Sequence, residues 1–283
     1  MGNPIQSILL IGESGVGKTH YGAQLLKRLM NSRGKFRMNG AATNLEPFET
    51  TLECLNEGRA AGHTPTSTYL DSGWPIVSDA GEVFSLVWPD YGGEQVKNML
   101  STRRVLSAWK TRVMNASAWL LMLRLNQLRT NEDLLSRPLA TLAGPKQENS
   151  TDDQLQLPDQ ARMIELLQML LFLREQSICE AKESPRLCVL LSCWDELGQT
   201  GQPMVMLRQR LPLFADFVFS NWKTPIILGL SALGRSLDKN LRDEEYVAQG
   251  PEQFGYVVLP GGESSSDLTV PIKMLLRAEN SRL

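Results

Sequence analysis

The sequence predicts an α/β fold: a mostly parallel sheet with helices on both faces. Three observations carry that expectation. Short, nearly all-apolar runs recur at residues 5–11, 83–88, 118–125, 186–192 and 225–230, as strands buried on both sides do. Stretches with apolar residues at helical spacing separate them, the alternation that builds parallel sheets. The first run also leads directly into Gly12-Glu13-Ser14-Gly15-Val16-Gly17-Lys18-Thr19-His20, a glycine loop that opens a helix.

That loop spells G-x-x-x-x-G-K-T, and the spelling has a chemical reason. Backbone N–H groups can wrap a polyphosphate only where side chains are small or absent, which Gly12, Gly15 and Gly17 provide. The helix starting near Gly17 points its positive end at the phosphates. Lys18 reaches the β- and γ-phosphates, and the Thr19 hydroxyl is placed for Mg²⁺. Tyr21, Leu25, Leu26 and Leu29 continue a helix over 17–31, which Asn31-Ser32-Arg33-Gly34 stops.

Residues 35–42 are polar and ambiguous. Residues 47–61 form a helix with Phe48, Leu52 and Leu55 on one face. A hydroxyl-rich segment at 62–71 follows, then strands at 66–70 and 83–88, with turn signals at Asp71-Ser72-Gly73 and Asp79-Ala80-Gly81. The second of these strands is apolar enough to be central. One helical pattern runs from Glu94 to about residue 115, and a buried strand spans 118–125. Residues 126–158 are polar and read as a surface insertion. A long helix covers 159–183 and a strand 186–192. Residues 204–221 are helical, broken or kinked at Pro212. After the strand at 225–230 comes a C-terminal extension, 236–283, holding the Tyr256 segment and a closing helix at about 270–278. The whole chain, 1–283, reads as a single domain.

Bulk properties exclude several classes. The 283 residues are 42% apolar and 21% charged, with 29 basic and 31 acidic residues and a formal net charge of −2. No global basic field suggests nucleic-acid binding. Four cysteines without a C-x-x-C pair and two histidines argue against structural zinc. Cys188 and Cys193 read as small buried residues. A reducing, cytoplasmic setting fits, and no apolar stretch approaches a membrane span.

Ligands of parallel sheets bind at the C-terminal ends of the strands. Four motifs sit there in order: the glycine loop, Asp90-Tyr91-Gly92-Gly93, Ser192-Cys193-Trp194-Asp195 and Ser231-Ala232-Leu233. Their order and spacing resemble the nucleotide-binding boxes of translation-factor- and Ras-like GTPases. The resemblance covers about residues 5–235 and implies the three-layer P-loop fold with a Ras-like sheet. It implies that Asp90 holds a water on Mg²⁺, that the Gly93 N–H senses the γ-phosphate, and that Asp195 accepts from guanine N1–H and N2–H₂. It also implies that the backbone at Ser231 and Ala232 contacts guanine O6. The threonine that covers the γ-phosphate and binds Mg²⁺ is Thr64, Thr66 or Thr68, with Thr66 preferred. Three positions depart from the pattern. Glu94 stands where such enzymes often carry a water-orienting Gln, and it both orients water and repels the γ-phosphate. Ser192 and Cys193 replace the usual Asn and Lys. The lysine stem that covers the base is thus lost, leaving Trp194 to cover part of it.

Within that class the Trp88-to-Glu94 segment, Trp194-Asp195-Glu196-Leu197, and Ser231-Ala232-Leu233-Gly234 followed by Phe254-Gly255-Tyr256-Val257 resemble the bacterial double-GTPase family. This implies a GTP/GDP- and Mg²⁺-dependent switch in bacterial conflict or antiphage defence, working with a second GTPase or an effector. Two alternatives stay open: a nucleotide-binding interaction subunit without hydrolysis, and an ATPase of another P-loop branch with Val83–Asp90 as its Walker B strand.

Overall fold

In a computed structural model, described for residues 7–31, 36–62, 69–91, 93–128, 159–198 and 201–276, four apolar runs pair in parallel. These are β1 (Ile8–Ile11), β5 (Ala118–Leu123), β6 (Arg186–Ser192) and β7 (Ile226–Ser231), in the order β1-β5-β6-β7. Two short antiparallel strands, β8 (Tyr256–Val258) and β9 (Ser264–Ser265), extend the sheet to six. Successive strand residues point to opposite faces, and β5 shows the consequence. Trp119, Leu121 and Leu123 enter one core, while Ala118, Leu120 and Met122 enter the other. The first core is closed by α3 (Glu94–Thr102), α4 (Ser107–Asn115), α5 (Asp159–Leu173), α6 (Pro203–Arg210) and α7 (Pro212–Asn221). The second is closed by α1 (Lys18–Met30), α2 (Glu46–Asn56) and α9 (Val270–Leu276).

The strand read as central is placed differently. β4 (Val83–Tyr91) belongs to a separate antiparallel ladder, β2-β3-β4, with β2 at Phe36–Met38 and β3 at Tyr69–Ser78. β4 runs beside β1, but a cavity of 190 Å³ opens between Leu9 and Val87. Aromatic packing holds this ladder to α1. Trp74 stacks on Trp88 at 5.2 Å, and Tyr21 meets Trp88 edge-on at 5.5 Å. Gly22 makes this approach possible, because a Cβ there would lie 3.0 Å from Trp88 Cε2 and also 2.5 Å from Phe48 Cε1 of α2.

Several expected boundaries move for identifiable reasons. Asp71-Ser72-Gly73 is not a turn but the interior of β3, where Gly73 pairs with Val87. Its polar groups find partners across the chain: Gly73 N donates to Thr43 Oγ1 at 2.8 Å, and Ser72 Oγ donates to the Asn44 carbonyl. The turn is the second one expected, with Gly81 at φ 81°. The single helix over 94–115 breaks into α3 and α4 at Arg103, which is left-handed at φ 52°. The helix expected to reach 183 stops at Leu173. Glu175 takes φ 56°, Gln176 N donates to Leu171 O and Glu175 N to Phe172 O. This is a Schellman stop without the glycine that usually announces one. The helical run over 204–221 does break at Pro212, and the ambiguous stretch contains β2. A short helix not anticipated, α8 (Glu244–Gln249), is capped by Asp243, which accepts from Tyr246 N at 2.9 Å. No helix among the described residues is long and apolar enough to cross a membrane.

Candidate functional site

The loop between β1 and α1 turns at Gly15 (φ 79°) and Gly17 (φ 83°), angles that disfavour any side chain. At Gly12 a Cβ would sit 2.9 Å from Val16 Cγ2 and 3.2 Å from Met122 O, so the loop packs tightly on β5. Lys18 is buried, and its Nζ donates to the carbonyls of Gly12 at 2.9 Å and Glu13 at 2.8 Å. The ammonium therefore arches over the loop.

Above the loop lies a cavity of 270 Å³. Ser14, Gly15, Val16, Gly17, Lys18, Thr19 and His20 line one end, and Asp195 and Ala232 the other; Gly93 also reaches it. Residues about 180 positions apart in the chain thus share one space at the strand ends, as the sequence reading required. Ser231 is fully buried beneath. Its hydroxyl donates to Asp195 Oδ1 at 2.5 Å and accepts from Gly234 N at 2.9 Å, which fixes the carboxylate. Asp195 also acts on Tyr256: burial raises the phenol's pKa, and the nearby carboxylate raises it further. His20 Nε2 accepts from Ala61 N at 3.1 Å, tying α1 to the segment after α2.

Gly93 presses on the loop itself. A Cβ there would lie 2.0 Å from Ser14 N and 2.3 Å from Glu13 C. Glu94 and Glu13 line a second cavity of 500 Å³, together with Lys97, Asp159 and Arg162; Ser14, Gly15, Val16, Met122 and Arg124 line both cavities. Glu94 opens α3 and pairs with Lys97 at 3.5 Å. Gln95, next to it, accepts from Trp109 Nε1 at 3.2 Å. Asp90 sits near the C-terminal end of β4 by its backbone; its side chain, and Thr64, Thr66, Thr68 and residues 129–158, lie outside the described residues.

Two expectations around Asp195 are corrected. Trp194 does not cover the cavity: it is 4% exposed, and its ring fills the space where a Gly229 Cβ would be, 2.6 Å from Cε3. Cys193 is not a buried core residue. It lines the cavity in a left-handed conformation, φ 52°, although burial still pushes its thiol up to about 11. The side chain replacing lysine is therefore neutral at pH 7. Cys188 is fully buried, as expected.

Sequence reasoning missed three arginines: Arg235, which lines the first cavity and pairs with Asp243 and Glu245, and two others. Arg124, just past β5, lines both cavities; it donates to Gly15 O at 3.0 Å and holds Glu196 with two further donors. The paired carboxylate raises the guanidinium's already high pKa. Arg162 of α5 grips Glu13 with bonds of 2.7 and 2.8 Å and also pairs with Asp159 at 3.1 Å. A signal for Arg124 was present: it follows the one parallel strand end to which no motif had been assigned.

A sequence model of the Double-GTPase 1 family matches residues 9–275, nearly the whole of this arrangement. The chain belongs to the Double-GTPase 1 family. No curated protein matches it. Similar solved structures include the Arl6 (BBS3) small GTPase of Trypanosoma brucei with a bound nucleotide analogue, at 12% identity, TM-score 0.38, and 81% and 87% coverage of this chain and that one. The signal recognition particle receptor SRβ–GTP/SRX complex of Chaetomium thermophilum gives 14% identity, TM-score 0.40 and 84% and 95% coverage. The GTP-bound GTPase-like domain of Ski7 from S. cerevisiae gives 14%, 0.38, 87% and 49%. In this Double-GTPase 1 chain the glycine loop and Asp195 share a cavity, while the side chains at 192 and 193 depart from the usual pair.

Proposed function

We propose that this chain binds GTP with Mg²⁺ and hydrolyses it slowly to GDP and phosphate. One observation carries the reading: Lys18 and Asp195 face the same cavity, and Ser231 holds Asp195 in place. A fixed carboxylate rewards the guanine N1–H and N2–H₂ donors and repels adenine, whose N1 is an acceptor. The loop amides and Lys18 lie where charge grows as water attacks the γ-phosphate. The Thr19 hydroxyl and Asp90 carboxylate are hard oxygen donors that suit Mg²⁺, which would neutralise phosphate charge there. Glu94 lines the second cavity and Gln95 is bonded to Trp109, so neither is set to orient an attacking water. Turnover is therefore slow until a partner, a second GTPase or an effector in a conflict system, supplies the missing group.

Calorimetric titration with GTP, GDP and ATP, each with Mg²⁺, tests the binding. GTP and GDP bind, ATP binds at least tenfold more weakly, and Asp195→Ala removes the difference; a tenfold ratio corresponds to about 1.4 kcal/mol. Preference for ATP, unaltered by Asp195→Ala, refutes the assignment. The placement of Glu94 also favours a second reading, binding without hydrolysis. Single-turnover phosphate release separates the two, since release above the Lys18→Ala background requires the first.

A further inference from the structure

We infer that Arg124 does the work of the missing lysine: it braces the glycine loop against the Asp195 segment and presents its guanidinium face to the purine base. The inference rests on the nucleotide-binding reading above and adds a residue to it.

The argument starts from what residue 193 lacks. A thiol pushed up to about 11 carries no charge at neutral pH, and it is too short to cover a base. Trp194, the next aromatic, is turned into the core against Gly229. Neither neighbour of Asp195 on that side supplies a cover. Arg124 comes from a different strand and reaches the same place. Nη1 donates to Gly15 O at 3.0 Å, Nε donates to Glu196 Oε2 at 2.9 Å, and Nη2 donates to Glu196 Oε1. All three nitrogens on the edge of the guanidinium are thus engaged, one with the loop and two with the residue following Asp195. The flat faces remain. Arg124 lines both the cavity above the loop and the second cavity, as do Ser14, Gly15, Val16 and Met122. A purine whose edge meets Asp195 stacks on such a face, because a planar cation is attracted to an aromatic π-system. Glu196 fixes the plane and partly offsets the charge.

The ligand is a purine nucleotide, and the probe that isolates the base is inorganic tripolyphosphate, which fills the phosphate end alone. Affinities of the full chain for GTP, GDP and tripolyphosphate with Mg²⁺ are measured for wild type, Arg124→Ala, Arg124→Lys and Glu196→Gln, with thermal melts as folding controls. Arg124→Ala weakens GTP and GDP about tenfold or more and tripolyphosphate by less than about threefold. Arg124→Lys recovers part of the loss, since an ammonium reaches Gly15 O but has no plane to offer. Glu196→Gln gives a smaller loss in the same pattern, and with Arg124→Lys it carries the comparison if Arg124→Ala does not fold. Unchanged nucleotide affinity overturns the inference. So does an equal loss for GTP and tripolyphosphate, which would make Arg124 a loop brace only. A wild-type chain that binds tripolyphosphate but no nucleotide refutes base recognition altogether; one that binds neither refutes the nucleotide reading beneath it as well.

Discussion

Gly93→Ala should damage this protein through contact geometry alone. Gly93 has φ −58° and ψ −18°, angles that alanine adopts without strain. Backbone preference would therefore favour the substitution by about 0.4–1 kcal/mol. Space opposes it. The added methyl would stand 2.0 Å from Ser14 N, 2.3 Å from Glu13 C and 2.4 Å from Ser14 Cα. These are backbone atoms of the glycine loop, itself packed on β5 through Gly12, so no flexible side chain can yield. Overpacking of this kind costs about 1–3 kcal/mol, which exceeds the backbone gain. The mid-range values leave a net loss of about 1.3 kcal/mol, which lowers Tm by ~3–5 °C in a chain of this size. Because the displaced atoms are loop amides, nucleotide affinity falls as well. Thermal unfolding of both proteins, followed by titration with GTP and Mg²⁺, measures the two effects. A Gly93→Ala protein with wild-type or higher Tm and wild-type affinity refutes the claim that the β4–α3 junction rests on the loop.

Three further expectations follow from named contacts. Ser231→Ala removes the hydroxyl that bridges Asp195 and Gly234 N in a fully buried position, at a cost of about 1–3 kcal/mol, and reduces preference for GTP over ATP; unaltered selectivity in competition binding contradicts it. Arg162→Ala leaves the Glu13 carboxylate, 13% exposed, without its two-bond partner. Chemical denaturation should show a loss of about 1–2 kcal/mol, reduced by the partial exposure of Arg162, whereas Glu13→Gln/Arg162→Met together should cost less than the single change. The third concerns pH. The Cys193 thiol titrates near 11 in the folded chain and about 8.5 unfolded, so its contribution is complete below about pH 8.5 and is lost as pH rises toward 11. Melts at pH 8 and pH 10.5 should show a larger drop for wild type than for Cys193→Ser, and equal drops exclude the assignment.

What could be read from the chain directly shares a property: the information lies within about one turn or one strand of itself. The spacing of Gly12, Gly15, Gly17 and Lys18 is a local requirement of a loop that must bare its amides. The apolar runs that became β1, β5, β6 and β7 announce strands buried on both faces, and Pro212 announces a break. Asp195 and Ser231 were singled out by the resemblance of their motifs to GTPase boxes at strand ends, and the structure links them by a hydrogen bond. Signals failed where a distant residue overrode them. Asp71-Ser72-Gly73 has turn composition, yet β4 and residues 43–44 satisfy its polar groups as a strand. The stop at Leu173 uses a left-handed Glu175, which no composition rule flags.

By itself, then, the sequence determined the fold class and the glycine loop, which are properties of periodicity and short spacing, and the family, through the resemblance of its motifs. Tertiary structure alone decided which way Trp194 faces, that Gly93 touches Ser14, that Glu94 lies in the second cavity, and that Arg124 joins two parts of the site. Arg124 meets Gly15 across 109 positions and Glu196 across 72. Contacts over such separations leave no periodic trace, because they exist only once the strands between them have chosen their neighbours.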